Sequence, residues 1–205
     1  MTLLQVNRID SEYINSLPVV QFEGNVVVVD TPEQEEAVVR ELYKHPYVGF
    51  DTESKPAFKK GVSYPISLLQ LATHNTAYLF QLKKTGFSDA LADFLANENF
   101  KKIGIGVNAD IEKLQELKKF IPRGFIDLSK IAKDKGIIQV GARALSARYL
   151  GRRLVKTAQK TNWAQPQLSR KQQVYAAADA WVCLQVYPHL SADTTDYRQF
   201  IEEEE

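Results

Sequence analysis

Cysteine is nearly missing from this chain of 205 residues. Cys183 stands alone, which excludes an intramolecular disulfide and a cysteine-rich zinc site. Its neighbours are apolar, so it reads as core filler. Histidine is scarce too: His45, His74 and His189 are scattered, show no zinc-ligand spacing and fit surface positions. No run of about 18 apolar residues occurs, so no membrane-spanning helix is expected. The opening MTLLQVNRIDSEY lacks the basic start and apolar stretch of a secretory signal, and a cytoplasmic location is expected. Internal repeats and low-complexity linkers are absent, so the expected organisation is a single domain over 1–205. Its core should span about 18–190, between a short N-terminal extension and a solvated acidic tail, Glu202 to Glu205.

A local absence says more. From Lys135 to Ala178 there is no Asp or Glu, while nine basic residues occur: Lys135, Arg143, Arg148, Arg152, Arg153, Lys156, Lys160, Arg170 and Lys171. Such a stretch can follow a phosphate backbone or simply form a solvated face. Arg152 and Lys156, four apart, would share one edge of a helix. Lys55, Lys59 and Lys60 lie in a second basic segment that can touch phosphates or form a surface loop.

What is present suggests strands first, then alternating strands and helices, hence a mixed sheet flanked by helices. Val19–Phe22 and Asn25–Val29 read as a hairpin about Glu23-Gly24. Thr31-Pro32-Glu33-Gln34 reads as a capping box opening a helix to about Lys44. Strands are expected at Tyr47–Thr52, Ser67–Ala72, Ala77–Phe80 and Lys102–Val107, and a short one at Phe125–Leu128. Helices are expected at Ser88–Asn97, from an Asn108 cap to Phe120, near Ala142–Leu150, and from Ser169 to about Tyr187.

Three of these elements carry acids. Val48-Gly49-Phe50-Asp51-Thr52-Glu53 is an apolar strand ending in two carboxylates at i and i+2, which point to the same face. Such a pair repels itself unless a cation intervenes, and oxygen-rich clusters suit Mg²⁺ or Mn²⁺. Two solvated acids at a strand end are the ordinary alternative. Asp110 falls in the first turn of a helix, where the dipole favours an acid in any case. Tyr175 and Asp179 are one helical turn apart on the face continued by Val182 and Val186, which places Asp179 near the apolar core. Trp163 can stack on a base or pack in the core.

The ordered set Asp-x-Glu, Asp, Tyr-x-x-x-Asp resembles the DEDDy branch of the 3′–5′ exonucleases, which includes the Werner-type exonuclease domain, ribonuclease D and polymerase proofreading domains. Phe50-Asp51-Thr52-Glu53 is similar to the first motif and Ile66 to Ala72 to the strand after it. Asp110 with Leu114 is similar to the second motif. Lys156, Asn162-Trp163, Leu168, Gln172 and Tyr175 through Asp179-Ala180 are similar to the third. Thr161 departs from the Ser that often precedes Asn-Trp, and the length fits a stand-alone Werner-type domain better than ribonuclease D.

The resemblance implies a ribonuclease-H-like α/β fold and hydrolysis of DNA or RNA from its 3′ end, releasing nucleoside 5′-monophosphates. It implies two divalent ions, Mg²⁺ or Mn²⁺, roughly 4 Å apart about the scissile phosphate. Asp51, Glu53 and Asp179 would hold the first ion. Asp51 would bridge to the second with Asp110 in support, and Tyr175 would orient the attacking water. A non-catalytic nucleic-acid-binding module and a protein-interaction scaffold are the competing classes.

Overall fold

Alternation and burial account for a six-stranded sheet. In a computed structural model that describes residues 6–59 and 61–200, the strands are β1 (Asn25–Val29), β2 (Tyr47–Ser54), β3 (Ile66–Ala72), β4 (Thr76–Gln81), β5 (Lys101–Gly104) and β6 (Phe125–Asp127). Lys60 and the closing glutamate run lie outside the described residues. The spatial order is β1-β4-β3-β2-β5-β6. β2, β3 and β4 pair antiparallel, whereas β1 on β4, β5 on β2 and β6 on β5 are parallel. β3 is apolar at all but two positions, and every one of its residues is buried, as a central strand covered on both faces requires.

Helices cover both faces. α1 (Ser11–Ser16) precedes the sheet. α2 (Pro32–Leu42), the single turn α3 (Leu82–Thr85), α4 (Asp89–Ala96) and α5 (Val107–Leu117) contribute to a core with Phe50, Leu69, Leu71 and Phe80. α6 (Leu128–Asp134), α7 (Ala142–Leu150) and the long α8 (Arg170–Ala192) pack on the opposite face through Ile103, Leu145, Val182 and Val186. α8 starts with a complete capping box, Ser169 with Gln172. Its residues Ala177 and Ala180 meet Ala72 and Ala77 of the sheet. The helix comes closest at Gly49, where a methyl group would lie 1.9 Å from the carbonyl oxygen of Ala180. Only a residue without Cβ fits there.

The mixed sheet with flanking helices bears out the expected architecture, with local differences. Val19–Phe22 does not form a hairpin with β1; Val19 bridges Arg153 instead, and β1 takes β4 as its parallel neighbour. The Gln34 side chain returns to the N–H of Asp30, not to that of Thr31. Asn108 is not a cap: Gly106, at φ 69°, turns the chain and α5 begins at Val107. A left-handed residue makes that turn directly off β5, and glycine adopts it without strain. α8 also runs past Tyr187 and through Pro188. The turn beyond the proline is held by buried Leu190 and by Asp193, which accepts from Tyr149 and Tyr197 hydroxyls at 2.8 and 2.9 Å. Those anchors offset the hydrogen bond that proline cannot donate.

The N-terminal extension is built into the fold. Ile9 and Ile14 are buried with Ala147 of α7. The Ile9 N–H donates to Gln139 Oε1 at 2.7 Å, and Arg143 donates to Asn15 Oδ1 at 2.5 Å.

Candidate active site

β2 sorts its side chains by parity. Phe50 enters the core on the α2/α4/α5 face, so Asp51 points to the α8 face, as Gly49 does. Glu53 follows two residues on, and α8 lies across this face and delivers Asp179. One carboxylate oxygen from each of Asp51, Glu53 and Asp179 can be chosen so that all lie within 4.8 Å of one another. Close contact at Gly49 brings helix and strand near enough for this convergence.

Asp110 does not join that trio. It sits in the first turn of α5, and Thr52 Oγ1 donates to its Oδ1 at 2.5 Å. Thr52 has the opposite parity to Asp51 and Glu53, so it reaches the helix on the other face and holds Asp110 beside the cluster. Asp110 still raises the proton affinity of Asp51 and Glu53 through its charge.

The electrostatics are those of acids placed together without a cation. Burial, then the charges of Asp179, Glu53 and Asp110, push Asp51 well above the ordinary carboxylate range. Burial and the charges of Asp179 and Asp110 carry Glu53 to about 8. Burial raises Asp179 to about 6, although a hydrogen bond from Tyr175 and the charge of Lys156 work against it. Burial also raises Asp110. The Tyr175 hydroxyl is pushed upward by burial and by its bond to Asp179, so it stays protonated and remains a donor at neutral pH.

Asp51, Glu53, Tyr175 and Asp179, but not Asp110, line an open cavity of about 450 Å³. Its walls include Ser11 and Ile14 of α1, Gln139, Arg143, Lys156 and Gln159. Three converging carboxylates whose charged forms burial disfavours, two of them further opposed by neighbouring acids, are a donor set suited to a hard divalent cation. A cavity of this size, with a hydroxyl donor and an ammonium beside the acids, can receive a phosphate ester. The family model for 3′-5′ exonucleases matches residues 26–194.

The chain belongs to the 3′-5′ exonuclease family. It is 28% identical over 186 residues to the bifunctional 3′-5′ exonuclease/ATP-dependent helicase WRN of Mus musculus, covering 86% of this chain and 13% of that protein. It is 30% identical over 196 residues to the Homo sapiens exonuclease mut-7 homolog, covering 77% of this chain and 22% of that protein. The chain therefore spans a minor part of the length of these relatives. In structure it is similar to the Aedes aegypti Nibbler EXO domain, with a TM-score of 0.72, 22% identity and 97% of each chain covered.

In this exonuclease domain Asp51, Glu53, Tyr175 and Asp179 are assembled as a group, with Asp110 set slightly apart. Trp163 is buried and its ring stands 5.8 Å from that of Tyr175, so it packs behind the site and does not face the cavity. Cys183 is buried in the α8 core, with its thiol 3.3 Å from the Asp179 carbonyl.

The basic segment divides. Arg148 is buried, donates to the Val6 carbonyl at 2.6 Å and lies over the Tyr197 ring. Lys135 donates to the Asp193 carbonyl, and Arg153 to that of Leu17 at 2.9 Å. Arg152 and Lys156 do not share a helical edge, because residues 152–156 are not helical. Arg152 lines a separate cleft with Trp181, whereas Lys156 lines the cavity of the carboxylates and acts on Asp179. Thr52 was missed for a plain reason: its value depends on a helix that approaches from the other face. Its place between the two acids was the only signal in the sequence.

Proposed function

We propose that this chain is a DEDDy-type hydrolase that removes nucleoside 5′-monophosphates one at a time from the 3′ end of a DNA or RNA strand, and that it works with two divalent ions, Mg²⁺ or Mn²⁺. The convergence of Asp51, Glu53 and Asp179 carries this reading. Asp51, Glu53 and Asp179 would hold one ion, and Asp51 with Asp110 the other. When bound, the ions supply charge stabilisation to the phosphate and lower the proton affinity of water.

The rest falls to the chain's own groups. Tyr175 keeps its proton and, anchored at Asp179, directs the attacking water. Thr52 fixes the Asp110 carboxylate so that it faces the cluster. Lys156 brings an ammonium to the cavity wall, where it meets a phosphate oxygen. Ser11, Ile14 and Gln139 line the same cavity, where they would limit water around the terminal nucleotide. The described residues act as one exonuclease domain, with the core of about 18–190 extended by α1. A cytoplasmic location belongs to the same reading and is checked by cell fractionation.

The deciding assay uses a 5′-labelled oligonucleotide with Mg²⁺ or Mn²⁺. A ladder of shortening products, abolished by EDTA and restored by either ion, is expected. An intact strand in a shifted complex would make the chain a binding module.

A further inference from the structure

The catalytic cavity accommodates the end of a strand, but the nucleotides 5′ of that end must pass over a rim. Two stretches leave the cavity side by side. Glu53 leads within two residues to Lys55, and Gln159 is followed by Lys160. They border a second cleft, of about 410 Å³, lined among others by Lys55, Phe58, Lys59, Tyr64, Lys160 and Asn162.

This cleft combines two features. Phe58 is 84% exposed, more than any other large hydrophobic side chain among the described residues. Its exposure serves no packing role. Tyr64 lies beneath Lys55, whose ammonium is 5.0 Å from the ring centroid. Three lysines line the cleft and no acid does, and none of these lysines pairs with an acid among the described residues. Aromatic faces interleaved with cations are what an unpaired strand requires, because bases stack and phosphates need counter-charge. Another cleft, which also borders Tyr175 and Asp179, has the cations Arg170 and Lys171 and the apolar Val155 and Val174 but no exposed aromatic ring.

We propose that the cleft at Lys55, Phe58, Lys59, Tyr64 and Lys160 is an auxiliary site for single-stranded nucleic acid, which holds nucleotides 5′ of the one being removed. Phe58 is the stacking platform, and the lysines track the backbone. The assignment to the substrate strand rests on the exonuclease reading above.

The test compares substrate lengths. Phe58→Ala and Phe58→Tyr variants are assayed on a dinucleotide and on a ten-nucleotide single strand. Binding of the fluorescein-labelled ten-mer is followed by anisotropy in Ca²⁺. Phe58→Ala should raise KM and Kd for the ten-mer about tenfold, the scale of losing one base stack, and leave kcat/KM for the dinucleotide unchanged. Phe58→Tyr, which keeps a ring, should behave as wild type. Replacing Lys59 and Lys160 by Gln together should flatten the salt dependence of ten-mer binding by about 1.4, since each single-strand phosphate contact contributes about 0.7.

Equal losses on both lengths, or no change on the ten-mer, would overturn the proposal. So would poly-glutamate binding that matches the ten-mer in strength and depends on Phe58, because the cleft would then serve an acidic protein. If wild type degraded neither strand, the exonuclease reading would fail by itself. The anisotropy data would still decide whether the cleft binds single strands.

Discussion

Asp193 and Asp51 are aspartates on the same side of the sheet, one at the far end of α8 and one beneath its first half, yet their surroundings act in opposite directions. Burial works upward on both. At Asp193 the N–H of Thr195 and the hydroxyls of Tyr149 and Tyr197 more than offset it, and the carboxyl ends below its ordinary range. At Asp51 the neighbours are Asp179, Glu53 and Asp110, and they add to the effect of burial. Lys102 on β5 lies between these cases: its ammonium donates to the carbonyls of Phe94, Asn97 and Phe100, yet burial and then the charge of Lys101 lower its pKa to about 7. The fold surrounds the Asp193 carboxylate with donors. It withholds them from the acids that line its cavity, so those acids need something from outside. A buried charge the protein has satisfied belongs to structure; a group of like charges it has left in conflict points to a ligand.

The contrast is broken most strongly by Asp51→Asn. Turnover on a single-stranded oligonucleotide should fall at least roughly 10³-fold, since several kcal/mol of charge stabilisation go with the ligand. The metal-free variant should melt at or above wild type, because a repulsion has gone. Near-normal turnover by a folded Asp51→Asn protein would remove this residue from the site. Tyr175→Phe comes next. Its rate should fall about 10²-fold, the scale of losing an orienting contact, while Mn²⁺ affinity in isothermal titration stays close to wild type. Loss of Mn²⁺ binding with turnover preserved would make Tyr175 a prop for Asp179.

A third comparison uses thermal melting. Saturating Mg²⁺ or Mn²⁺ should stabilise wild type by about 2–3 kcal/mol at 100 times the dissociation constant. It should leave Asp51→Asn nearly unmoved. Asp193→Asn should behave inversely. It loses about 2 kcal/mol of stability, because hydrogen bonds to a charged group are weakened, and it keeps both the cation response and the turnover per folded molecule. If Asp193→Asn abolished the cation response, the two regions would not be independent.

The smallest effects are in pH dependence. In EDTA, Glu53 takes up a proton more readily folded than unfolded, since its folded value is about 8 against an ordinary 4.5. Its contribution therefore falls as pH rises from about 4.5 to 8. Asp193 is depressed, so its contribution is present above its ordinary value of 3.8 and is lost as pH falls through the folded value. Melting curves across pH should show the first slope become shallower in Glu53→Gln and the second in Asp193→Asn.

The sequence made the sheet legible because strand and helix periods are local properties. β3 reads as a buried strand from its own letters, and Ser169 with Gln172 announces α8 from its own spacing. The acids were legible only jointly. Asp110 has an ordinary explanation in its helix turn, and nothing local says that Thr52 will hold it. The basic segment was misleading for a related reason. Charge counted along a chain is not charge on a face, and Lys135, Arg148 and Arg153 turn inward to carbonyls that the sequence does not place. The residues before Val19 carried no motif, yet Ser11 and Ile14 line the cavity, because an amphipathic turn of six residues is too short to show a period.

Gly49 offers no atom to any ligand, yet it serves as a zero-thickness gauge block between β2 and α8. The width of the carboxylate cage is inherited from that joint and not from the acids themselves. On the proposed ligand set, the preference for a small ion over a large one is tuned from beneath. A shim as thin as one methyl group would lift Asp179 away from Asp51 and open the cage towards Ca²⁺-sized ions.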